Sequence, residues 1–123
     1  MTLRRRAAAV CLIAGVWAAP PASAGSPEVV GVSAVRSGDA WRFDVTVAHA
    51  DEGWEHYADA WEVRLPSGEV LGTRELLHPH VTEQPFTRSL SGIAIPEGVE
   101  AVEVFARDSV HGWGEPVTFR LPR

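Results

Sequence analysis

Lysine is missing from this chain: all eleven basic residues are arginines. That excludes Schiff-base chemistry, covalent attachment of a pyridoxal cofactor and the lysine of a phosphate-binding loop. Cysteine is almost missing too. Cys11 stands alone, which excludes a disulfide scaffold, a cysteine-ligated zinc finger and an iron–sulfur centre. No apolar run approaches the roughly 20 residues that a spanning helix requires. What remains is ordinary globular material, 46% hydrophobic and 22% charged over 123 residues, enough for one folded domain.

The first 24 residues read as an export signal. Arg4, Arg5 and Arg6 form a positive start, Ala7–Ala19 is a short apolar stretch, and Pro20-Pro21 ends it. Ala22-Ser23-Ala24 has the small-x-small form of a cleavage site, so residues 1–24 are a predicted signal peptide and 25–123 the exported domain. Val10 before Cys11 is larger than the small residue a lipid-attachment site needs, and no stop to the apolar run lies near it. The expected location is periplasmic or secreted, with no stable membrane span after cleavage. The choice between general and twin-arginine export stays open. Without the leader, eight arginines face all sixteen acids, a net charge of about −8. So acidic a domain is a poor partner for nucleic acid.

Period-two alternation runs through 25–123, with no helical stripe. Trp41, Phe43, Val45 and Val47 alternate with Arg42, Asp44 and Thr46, the cleanest strand in the chain. Strands are predicted at 28–35, 41–48, 57–65, 70–77, 86–95, 101–108 and 117–121, the first with Val30, Val32 and Ala34 on one face. Ser91-Gly92 interrupts the phase of the fifth and predicts a bulge. The fourth mixes apolar and charged residues on both faces, as an edge strand does. The expectation is an all-β, seven-stranded antiparallel sandwich of immunoglobulin or fibronectin type III kind.

In such a sandwich, alternate connections lie at opposite ends. Three are short turns, around Gly38, Gly68 and Gly98. The other three, His49–His56, His78–Pro85 and Ser109–Pro116, are longer and hold all five histidines with Trp54 and Trp113. His78-Pro79-His80 places two imidazoles on one side of an extended backbone. With His111 or His56 it makes a candidate nitrogen-ligated site for Zn²⁺ or Cu²⁺; the lack of Cys and nearby Met disfavours Cu⁺ and blue copper. Asp59, Arg88 and Asp108 are read as inward-facing near this end, either orienting a histidine or forming a structural lock in which Arg88 bridges a carboxylate. Trp54, Tyr57 and Trp113 offer flat faces for an exported protein or a glycan, which makes a non-catalytic interaction module the alternative function. His111 with Asp108 is an acid–base pair in principle, and Ser89 or Ser109 a nominal nucleophile. No nucleophile elbow surrounds either serine, so no catalytic residue is assigned.

The runs WEHYADAWEV (Trp54–Val63), HPHVTEQPFTRS (His78–Ser89) and ARDSVHGWG (Ala106–Gly114) resemble those of a group of small, uncharacterised secreted bacterial proteins. The resemblance spans most of 25–123. It implies export and a shared β fold, and brings no catalytic role with it.

Overall fold

A computed structural model describes residues 25–122. The predicted signal peptide, with Cys11, lies outside the described residues. The chain folds as strands β1 (Glu28–Ser37), β2 (Ala40–Ala48), β3 (Ala58–Arg64), β4 (Val70–Glu75), β5 (Phe86–Ile93), β6 (Ala101–Asp108), β7 (Gly112–Trp113) and β8 (Val117–Arg120). All pairings are antiparallel. One sheet has the order β1-β2-β5; the other runs β4-β3-β6-β7, with β8 also on β6. Among the described residues there is no helix, and none is long and apolar enough to cross a membrane.

The core is the sum of the inward alternations. Trp41, Phe43, Val45 and Val47 of β2 and Phe86 and Ile93 of β5 pack against Trp61 and Val63 of β3 and Val102, Val104 and Ala106 of β6. Phe119 of β8 is only partly buried and meets Phe43 edge-on, with ring centroids 5.9 Å apart. Removing a buried ring such as Trp41 by substitution with Ala is expected to cost about 3–5 kcal/mol.

Bulges decide which side chains turn inward. The β2–β5 register slips between Trp41↔Ile93 and Phe43↔Leu90, at Ser91-Gly92, where Gly92 takes φ +75°. That keeps both Leu90 and Ile93 usable from one strand. Two further slips alter expectations. One between Val29 and Gly31 puts Val29 in the core and leaves Val30 exposed, so Val30 does not share the inner face. The other lies on β3 between Ala58 and Ala60. Ala58 takes the inner position that strict alternation assigns to Asp59, and Asp59 turns to Arg107, Oδ2 to Nη1 2.5 Å. β4 is an edge strand, as its mixed faces predict.

Candidate metal centre

The inner face of β2 does not stop at its last apolar residue. Phe43, Val45 and Val47 are followed in the same phase by His49 and then Asp51, both buried. The inner face of β6 ends likewise in Asp108, fully buried. The two strands belong to opposite sheets, so their polar ends meet across the interlayer.

Asp108 is held from its own loop. Its Oδ1 accepts the backbone N–H groups of Val110 (2.9 Å) and His111, an Asx-type turn that folds the chain back. Oδ2 is left to face three imidazoles: His49 Nε2 at 3.1 Å, His56 Nε2 at 3.2 Å and His111 Nδ1 at 2.9 Å. The rings crowd together, with centroids 4.8 Å apart for His49 and His56 and 5.0 Å for His56 and His111. Burial opposes ionisation of Asp108. The hydrogen bonds from His111, Val110 and His56 outweigh it and hold the carboxyl well below the usual carboxylate range.

Each inner histidine has a carboxylate behind it. His49 Nδ1 lies 2.6 Å from Asp51 Oδ1, and His56 Nδ1 lies 2.8 Å from Glu52 Oε1. Asp51 is itself fixed by the backbone N–H groups of Ala58 (3.1 Å) and His80 (2.6 Å). Glu52 is the chief cause of a raised pKa at His56, partly opposed by desolvation and reinforced by Asp108 and the Gly25 carbonyl. Carboxylates that hold Nδ1–H turn the lone pair of Nε2 toward the centre, the orientation that metal-ligating imidazoles have.

The partners of His49 Nε2 make that orientation chemically specific. It faces Asp108 Oδ2 and the carbonyl oxygen of Gly25 (2.8 Å), both acceptors. An ionised carboxylate and a carbonyl can donate nothing. Whichever nitrogen carries the one proton of a neutral ring, the other would turn a lone pair toward an acceptor. The centre therefore calls for a positive species there, either a second proton or a metal cation. His56 Nε2 repeats the arrangement, 3.2 Å from both Gly25 O and Asp108 Oδ2. Ligand atoms of His49, His56 and Asp108 all lie within 4.8 Å of one another, a group that could hold one ion.

The other sequence-predicted residues are placed differently. His80 is buried against Phe86, rings stacked at 3.9 Å, and its Nε2 accepts from Arg88 Nη2 at 2.9 Å. Its Nδ1 is buried with no hydrogen-bond partner. Desolvation, then the charge of Arg88, lowers its pKa. His78 is exposed, 4.7 Å from the His80 ring. The H-x-H pair thus stands behind Asp51, apart from the His49–His56–Asp108 group. Arg88 bridges neither Asp59 nor Asp108. It sits on β5 and reaches Glu83 (3.2 Å) and His80 instead, and the bond from Arg88 holds Glu83 below the usual carboxylate range. Trp54 is 66% exposed and meets Tyr57 edge-on, while Trp113 is 38% exposed beneath the Arg64 guanidinium. Neither tryptophan plugs the core. Sequence reasoning omitted His49, Asp51 and Gly25 from the site.

No protein-family model matches the chain. A protein of Halomicrobium mukohataei provisionally named a lipoprotein is 49% identical over 77 residues, covering 63% of this chain and 37% of that protein. The chain thus matches little more than a third of that relative's length, and the likeness fits an exported or membrane-anchored, uncharacterised group. Two solved structures share the β fold, each covered over 90% of its length and each covering 80% of this chain. One is a hypothetical protein of Pyrococcus horikoshii, 16% identical with a TM-score of 0.54. The other is a superoxide reductase in its oxidised state, 19% identical with a TM-score of 0.51.

Proposed function

We propose that this chain is an exported β-sandwich protein that binds one divalent transition-metal ion between His49, His56, His111 and Asp108. The observation that carries the reading is the ring of acceptors around His49 Nε2, which a cation satisfies and a neutral imidazole does not. The donor set, three imidazoles and one carboxylate with no thiolate, suits Zn²⁺, Cu²⁺ or Fe²⁺. Because one fold neighbour is a superoxide reductase, consumption of superoxide by iron- or copper-loaded protein is the activity to assay first. Two antiparallel sheets, of three and five strands, support the sandwich part of this reading, and its immunoglobulin or fibronectin type III kind is part of the proposal.

Native mass spectrometry of tag-free protein, followed by calorimetric titration with each ion, tests the proposal. One equivalent should bind, and a His49→Ala/His56→Ala variant should lose at least about 100-fold in affinity, more than loss of a supporting contact costs. Equal, weak heats from both proteins would overturn it. The second reading would then stand: a histidine cluster hydrogen-bonded to Asp51, Glu52 and Asp108 locks the loops, and exposed Trp54 and Trp113 present a surface to an exported protein or glycan.

A further inference from the structure

We propose that Gly25 is itself a metal ligand, through its carbonyl oxygen and through the α-amine set free when the leader is cut after Ala24. The inference rests on the metal reading above and on the predicted cleavage point. Gly25 O lies 2.8 Å from His49 Nε2 and 3.2 Å from His56 Nε2, so its carbonyl already occupies the place where the rings converge. A Cβ on this residue would stand 2.7 Å from His111 Cε1 and 3.1 Å from His56 Cε1. Gly25 is therefore wedged against the half-buried ring of His56 and the exposed ring of His111 while its carbonyl reaches buried His49, closer than any other residue type could come.

Hydrolysis of the Ala24–Gly25 bond by a signal peptidase changes what this residue can do. Water supplies the oxygen that makes Ala24 a carboxylate, and Gly25 gains a primary amine. Before cleavage, the nitrogen lone pair is delocalised into the peptide carbonyl and ligates nothing. Afterwards it is a nitrogen donor of the same class as imidazole. With the carbonyl oxygen three bonds away, it closes a five-membered chelate ring on one ion. The precursor and the processed chain are thus different metal sites, and the tighter site forms only on export.

The absence of lysine makes the idea directly testable. In a chain starting at Gly25, the α-amine is the sole primary amine. The protein is exported from a bacterium with its own leader, and its intact mass is measured. It is then titrated with Cu²⁺ and Zn²⁺ before and after acetylation of that amine, with thermal melting to verify that both forms are folded. The expected results are a mass starting at Gly25 and an affinity loss of about tenfold or more on acetylation. Saturating metal should also slow the acylation reaction at least about tenfold, and only when His49 is present. Unchanged affinity and unchanged acylation rate would overturn the role of Gly25 while leaving the histidine site intact. A leader cut elsewhere would overturn it as well. Failure of either form to bind metal would remove the underlying reading along with it.

Discussion

His49 and His80 are both buried and both sit in loops at the same end of the domain, and their backbones are pinned to neighbouring groups: His49 N–H to Gln84 and His80 N–H to Asp51. What stands behind each ring separates them. His49 has the carboxylate of Asp51 on one nitrogen and acceptors on the other. His80 has a guanidinium on one nitrogen, Phe86 against its face and no hydrogen bond on its second nitrogen, which stays 4.0 Å from Asp51 Oδ2. The first environment asks for a cation; the second keeps the ring neutral. Histidines gathered at one end of a sandwich are therefore not one site, and the partner on the far nitrogen divides them.

The comparison breaks most sharply at Asp108. Asp108→Ala removes the acceptor shared by three rings and two backbone N–H groups. Metal affinity should fall by more than about 100-fold, beyond the effect of a supporting group. Urea unfolding should register a loss of about 3–5 kcal/mol, the cost of removing one member of a buried polar pair. Asp51→Asn keeps the shape but weakens the hold on His49, so titration should show a smaller loss, about 10–100-fold. If Asp51→Asn bound metal as well as the parent, the carboxylate behind the ring would not be what distinguishes His49.

The second environment is read through pH. The pKa of His80 is lowered in the fold, so between that value and the unfolded one the unfolded chain binds more protons. Its contribution is full above the unfolded value and is lost as pH falls through the range down to the folded one. His56 has the opposite slope: its raised pKa gives stability below the unfolded value that is lost as pH rises through the folded one. Denaturation measured from pH 7 to pH 5 should therefore fall less steeply for His80→Gln than for the parent. An unchanged slope would show that His80 is not held neutral. The smallest effect belongs to exposed His78: His78→Ala should alter stability by no more than about 0.5 kcal/mol and leave metal affinity unchanged.

Much of this was legible in the sequence. Strand positions followed from alternation, and the broken phase at Ser91-Gly92 located a bulge. Asp108 was found by extending the β6 face past its apolar residues. The same extension along β2, from Val47 to His49 and Asp51, would have found the remaining partners, because parity persists for a few residues after ladder pairing ends. Asp59 was misplaced for the converse reason. A one-residue bulge inverts parity, and Asp59 in the run Tyr57–Trp61 has no glycine beside it to announce one. The H-x-H pair drew attention by its spacing, but spacing does not say whether a ring meets an acceptor or an arginine. Gly25 had no pattern to reveal it, since its part depends on a backbone oxygen.

The hydrogen bond from His49 to Asp108 spans the interlayer, since His49 follows a strand of one sheet and Asp108 ends a strand of the other. It acts as a clasp. The two layers cannot part at this end without separating these residues, so exposure of buried His49 and Asp108 and opening of the sandwich are one event. An ion seated there would be a rivet through both layers, adding about 2.7 kcal/mol to the closed form at a free concentration 100 times Kd. The backbone amide of Ala58, which begins a strand of one sheet and bonds to Asp51 just past a strand of the other, would exchange with solvent deuterium at the frequency of that opening. Its exchange rate would thus measure how often the two layers part, and a bound ion should slow it.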